Sequence, residues 1–171
     1  MRLVMFVLSA CALVMSACDS ALVMTDASCN VDLAQGISTT FVSTDAAGVV
    51  TSFAGRVGAA RGARIYIEAG ETDLNMVSLE MRVQANPPLN TPLSYDVSAS
   101  YEDFESLPFT FSGVAPDGAA YQIGSVVVNA VSDSTISLNM TFSRYVEVGI
   151  AETLFIDAQN VPLQSCSLSA S

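Results

Sequence analysis

Histidine, lysine and tryptophan are absent from the chain, and all six of its basic residues are arginines. That removes most polar catalysis at the outset. Ser-His-Asp and Cys-His devices lack their base, Schiff-base chemistry lacks its amine, and zinc sites lack their commonest ligand. A pair of carboxylates is the acid–base device the composition still permits. Two acidic clusters stand out: Glu68, Glu71 and Asp73 around one turn, and Glu102, Asp103 and Glu105 beside Tyr101 and Phe104. Carboxylates on loops can hold calcium through oxygen ligands, which makes Glu68, Glu71 and Asp73 the calcium candidates. Neither cluster has EF-hand spacing, and the simpler reading is that both are solvated loops of an acidic protein. No cofactor or metal is predicted. Of the four cysteines, none has CxxC spacing, so neither redox catalysis nor a zinc site is indicated. Cys29 and Cys166, one near each end, are expected to pair in an oxidising compartment, with two buried free thiols as the other possibility.

The compartment follows from the first residues. Arg2 precedes an apolar run from Leu3 to Ala17 that ends in small residues before Cys18. This has the three parts of a secretory signal, and it is shorter than the roughly 20 residues of a membrane span. Val14-Met15-Ser16-Ala17-Cys18 resembles the bacterial lipobox, which implies cleavage before Cys18 and lipidation of that cysteine. Leu8-Ser9-Ala10-Cys11 fits the lipobox letters better, but cutting there would leave an apolar run of only Leu3 to Leu8, too short for a signal. An ordinary secretory signal cut near Ala17 is the alternative. On this reading residues 1–17 are signal peptide, 18–30 are a lipidated tether and 31–171 form a single β domain. The chain left after cleavage has five arginines against seventeen Asp and Glu, a net charge of -12. So acidic a surface argues against nucleic acid and against an electrostatic grip on anionic lipid. Membrane attachment would come from acyl chains at Cys18, where two chains anchor stably and one does not.

The elements that must position these groups read as strands throughout. Apolar residues alternate with polar ones, β-branched residues are enriched, and no helical period is sustained. The pattern predicts strands over Ile37–Ser43, Val49–Ala54, Arg64–Ala69, Asn75–Ala85, Leu93–Val97, Leu107–Gly113, Tyr121–Val131, Thr135–Tyr145 and Glu152–Val161. Gly55–Gly62, with three glycines and two arginines, predicts a loop. Tyr66 and Ser137 are expected to face water, a bulge is expected at Gly124-Ser125, and Pro162 is expected to end the last strand. About nine short strands separated by turn residues indicate an all-β antiparallel sandwich, Ig-like, with a lipocalin-like barrel as the alternative. The hairpin Tyr121…Gly124-Ser125-Val126-Val127-Val128 and Thr135-Ile136-Ser137-Leu138-Asn139-Met140-Thr141-Phe142 resembles those of small bacterial lipoproteins with such β domains. That resemblance implies a fold and no site residues.

The expected protein is a non-enzymatic, lipid-anchored module of the bacterial cell envelope, facing the periplasm or the cell surface and contacting a protein partner. One alternative is a carrier with an apolar ligand held among Met76, Met81, Met140, Phe109 and Phe111. A carboxylate-based hydrolase is the other.

Overall fold

The computed structural model describes residues 29–62, 64–71, 78–96, 109–114, 120–146 and 149–166. Nine strands occur among them: β1 (Ile37–Asp45), β2 (Val50–Arg61), β3 (Arg64–Gly70), β4 (Ser78–Gln84), β5 (Pro92–Asp96), β6 (Phe109–Val114), β7 (Ile123–Val131), β8 (Thr135–Val146) and β9 (Gly149–Ser165). The all-β expectation holds. In place of two stacked sheets, however, all nine strands join one sheet in the order β5-β7-β8-β9-β1-β2-β3-β4-β6. The sheet curls into a half-barrel and brings its two ends, β5 and β6, near each other. Every pairing between the nine strands is antiparallel except that of β2 with the end of β9.

Curling gives each strand an inner face, and alternation fills it. Phe41, Val57, Ile65, Ile67, Met81, Val83, Val126, Val128, Ile136, Leu138, Met140, Phe142, Leu154 and Ile156 are all fully buried in one apolar cluster. The hydrophobic gain on burying such side chains is about 1.5–3 kcal/mol each. The hairpin turns are held by local acceptors. Asp45 Oδ1 accepts from the Ala47 and Val49 amides, and Gly48 takes a φ of +79° between them. Ser132 Oγ accepts from the Ser134 and Thr135 amides in the β7–β8 turn.

Several local expectations are corrected. Gly55–Gly62 is strand rather than loop, and β2 runs through it to Arg61. Its glycines mark close approaches. A Cβ on Gly55 would sit 2.6 Å from the Phe41 ring, and one on Gly58 would sit 2.6 Å from Val31 Cγ1. There is no bulge at Gly124-Ser125. The β7–β8 ladder is continuous from Ile123 to Val128 and shifts only between Val128 and Ala130. Tyr121 reaches the core from ahead of the strand, where strand alternation does not bind it. Pro162 lies inside β9. Leu163 N donates to Ser134 O, so the missing Pro162 N–H would point away from β8. That side carries no pairing between Ile156 and Leu163, and the proline therefore breaks no ladder bond. Ser137 is buried because β9 bulges over it; its Oγ accepts from Asn160 N at 2.9 Å, with Asn160 at a φ of 56°.

Tyr66 is also buried, on the outer face of β3. The chain from Cys29 to Gly36 folds back across β2, and Cys29, Val31, Cys166 and Ala60 form a second small cluster around the tyrosine. Arg82 adds a cation over its ring at 5.9 Å. A 3₁₀ turn, Leu33–Gln35, caps this segment with Asp32 at its N-terminus. The side chain of Gln35, then the amide of Ala34, hold the Asp32 carboxyl below its ordinary value of 3.8. Its contribution is thus full above about pH 3.8 and fades as pH falls through the lower folded value.

Candidate functional site

Two constellations on the half-barrel have chemical character. The first lies on the inner face, one row beyond Phe41, Phe142 and Leu154. Ser43, Arg144 and Glu152 occupy that row because each is two residues from a core side chain on the same strand. Ser43 Oγ donates to Glu152 Oε1 at 2.5 Å, and Arg144 Nε donates to Glu152 Oε2 at 2.9 Å. A serine held on a carboxylate has the outline of a base-activated nucleophile. Here both carboxylate oxygens are engaged, and Glu152 is the only buried carboxylate among the described residues. The triad therefore reads as a satisfied polar plug at one end of the apolar core.

Removing its centre takes the Glu152 carboxylate away from the half-buried Arg144. Glu152→Ala is expected to lower stability by about 2 kcal/mol, below the 3–5 typical of fully buried pairs because Arg144 still reaches solvent. The double change Glu152→Leu with Arg144→Met should recover most of the loss. Urea denaturation of wild type, Glu152→Leu, Arg144→Met and the double variant closes a double-mutant cycle that measures the coupling, with Glu152→Ala run alongside, and a Glu152 change costing under about 0.5 kcal/mol would refute the plug.

The second constellation is an open groove of about 480 Å³ on the outer face, between β1 and β9. It exists because these strands part. Their ladder ends at Phe41 opposite Ile156, and β9 next pairs with β2, from Leu163 onward. Thr40 and Asp157, the next pair in register, do not bridge. The Thr39 hydroxyl crosses the opening instead and donates to Asp157 O at 2.7 Å. Ser38, Thr40 and Val42 line one wall, and Phe155, Asp157 and Gln159 the other. Phe155 is one of the exposed large apolar side chains among the described residues, at 39%. Gln159 Nε2 donates to Asp157 Oδ1 at 2.5 Å, and the Asn139 amide, turned to suit its neighbours, donates to the same oxygen at 3.0 Å.

The residues singled out from sequence are distributed differently. Cys29 and Cys166 are joined in a disulfide with Cα atoms 5.2 Å apart. Cys18, Asp73 and the acidic cluster Glu102, Asp103 and Glu105 lie outside the described residues. Glu68 is on β3, opposite Gly58 and Glu80 in the ladders, and Glu71 follows that strand. No group of three potential metal ligands occurs among the described residues. Met81 and Met140 are fully buried in the packed core; Met76 and the side chains of Phe109 and Phe111 lie outside what is described.

Comparison of the chain with protein-family models, with curated proteins and with solved structures found no match in any of the three. The constellations above therefore stand on their own geometry. Sequence reading placed Phe155 on a final strand without assigning it a face. The available signal was the run Phe155, Asp157, Gln159 at alternate positions, which puts an aromatic, an acid and an amide on one face.

Proposed function

We propose that this chain is a lipid-anchored protein of the bacterial cell envelope, attached through Cys18 and facing the periplasm or cell surface, with a non-enzymatic β domain over residues 31–171 that works as a protein-interaction module. The observation that carries the domain's role is the inner face. Its described core side chains form one buried apolar cluster, closed at one end by Ser43, Arg144 and Glu152. A carrier needs a cavity of about 300 Å³ or more. That favours binding on the outside of the half-barrel over storage within it, even though the single curled sheet is closer to the lipocalin-like alternative than to an Ig-like sandwich. A carboxylate hydrolase needs a second acid about 5–9.5 Å from the first, and Glu152 is instead committed to Arg144 and Ser43. The Cys29–Cys166 disulfide fits an oxidising compartment.

The anchor is tested by growing bacteria that express the full chain with an alkyne fatty acid. Label is expected on the wild type and none on Cys18→Ser, which should accumulate as unprocessed precursor or soluble protein. Mass spectrometry that finds a mature N-terminus other than acylated Cys18 would refute the anchor. Crosslinking in intact envelopes, followed by capture through the C-terminus, tests the module. Recovery of a co-purified small molecule with no protein partner would favour the carrier.

A further inference from the structure

The geometry points to the groove between β1 and β9 as a binding site for a neutral saccharide, laid over the outer face of the sheet with one sugar ring stacked on Phe155. Four features select that class of ligand.

The first is the aromatic itself. Phe155 projects from the sheet face beside Val42, its partner on β1, and the two are bordered by the hydroxyl of Thr40, the Asp157 carboxylate and the Gln159 amide, so the ring is a small apolar platform with polar groups around it. The negative face of an aromatic ring attracts the polarised C–H bonds on one side of a sugar. Second, Asp157 lies two residues along the same strand face, roughly 7 Å away, about the span of a single hexose ring. Its Oδ1 is pinned by Gln159 and Asn139. Its Oδ2 has no protein donor among the described residues, which leaves an oriented acceptor for a ring hydroxyl. Gln159 and Thr40 supply further hydrogen-bonding groups on the two walls.

Third, charge argues against an anion. None of the groove residues is basic, and the whole chain carries a net charge of -11. Anionic ligands would meet repulsion there. Fourth, the bond from Thr39 Oγ1 to Asp157 O argues against a peptide entering as an extra strand. An inserted strand needs about 4.8 Å on each side, and that bond ties the two flanking strands together at 2.7 Å. A ligand must therefore lie across the face and use side chains, as a flat polyhydroxylated ring does. The site holds whichever way the chain is attached to the envelope.

Saturation-transfer difference NMR on the full chain, in a detergent without a sugar headgroup, tests the site. Cellotetraose, chitotetraose and maltotetraose serve as separate probes. Saturation is expected on the ring C–H protons of at least one. Phe155→Ala should weaken that binding at least about tenfold, Asp157→Asn should weaken it less, and Phe155→Tyr should retain it. Both side chains point away from the core, so the variants are expected to fold. Should Phe155→Ala fail to fold, Phe155→Tyr and Asp157→Asn still decide the matter through retained and weakened binding. No saturation of any of the three sugars would overturn the assignment. So would saturation undiminished in both Phe155→Ala and Asp157→Asn, or transfer to decanoate with none to the sugars.

Discussion

Replacing both Cys29 and Cys166 by serine is expected to lower stability by up to about 5 kcal/mol, the largest single effect anticipated for this chain. The bond closes a loop between residues 137 positions apart. In the chain-entropy view, that loop restricts the unfolded ensemble more than a short one would. A second consequence is local. The disulfide sits at the edge of the cluster that covers Tyr66 and Ala60. Beside it, Asp32 N donates to Gln164 Oε1 at 2.9 Å, and Gln164 Nε2 donates back to Asp32 O at 2.8 Å. The covalent bond and this reciprocal pair are what hold the N-terminal segment to the end of β9. Without the bond, the segment should release at lower denaturant than the sheet, and Tyr66 should become accessible first. Urea unfolding followed by far-ultraviolet circular dichroism and by tyrosine fluorescence measures both. The slope of the transition should rise, because the unlinked chain exposes more surface on unfolding. A double variant within about 1 kcal/mol of wild type, with an unchanged slope, would mean that the bond constrains little.

Gly36→Ala is expected to cost about 3 kcal/mol, at the upper end of overpacking effects. Gly36 has an ordinary extended backbone, with φ −81° and ψ −168°, so the demand is for space and not for a left-handed conformation. A Cβ there would lie 2.1 Å from Val57 O, 2.7 Å from Val57 C and 2.9 Å from Gly58 Cα. All three are backbone atoms of β2, and no rotamer change can move them. The segment would have to lift from the sheet. Lifting it strains the Arg56 clamp, in which Nε donates to Leu33 O at 2.7 Å and Nη2 donates to Ala34 O at 2.8 Å and Gly36 O at 3.1 Å. It also draws Val31 away from Gly58 and uncovers Tyr66. Gly48→Ala makes a useful comparison. It meets no atom within 4 Å but has a φ of +79°, so it should cost about 1–2 kcal/mol through backbone strain alone. Denaturation midpoints rank the two, and a Gly36→Ala protein as stable as Gly48→Ala would remove the packing explanation.

Much of this molecule is legible in the order of its residues. Alternation placed Ile65, Ile67, Met81, Val83, Ile136, Leu138, Met140 and Phe142 on the inner face, where they are fully buried. It could do so because a strand's side chains alternate strictly, whatever sheet the strand enters. The absence of histidine and lysine restricted the chemistry before any fold was known. Alternation carries no information about the opposite face, and that face is where reading failed. Tyr66 looked solvated and is covered by a segment more than thirty residues earlier, pinned by a cysteine from the other end of the chain. Glycines in β2 looked like a loop because their partners, the Phe41 ring and Val31, are distant in sequence. Tertiary structure alone decided that the strands join one curled sheet instead of two layers, since pairing order is set by which edges meet. It also decided that Ser43, Arg144 and Glu152 converge, and that β1 and β9 part to open a groove beside Phe155 and Asp157. Each of those sites joins strands lying about a hundred residues apart, and their meeting depends on ladder register, which no local pattern of residue types encodes.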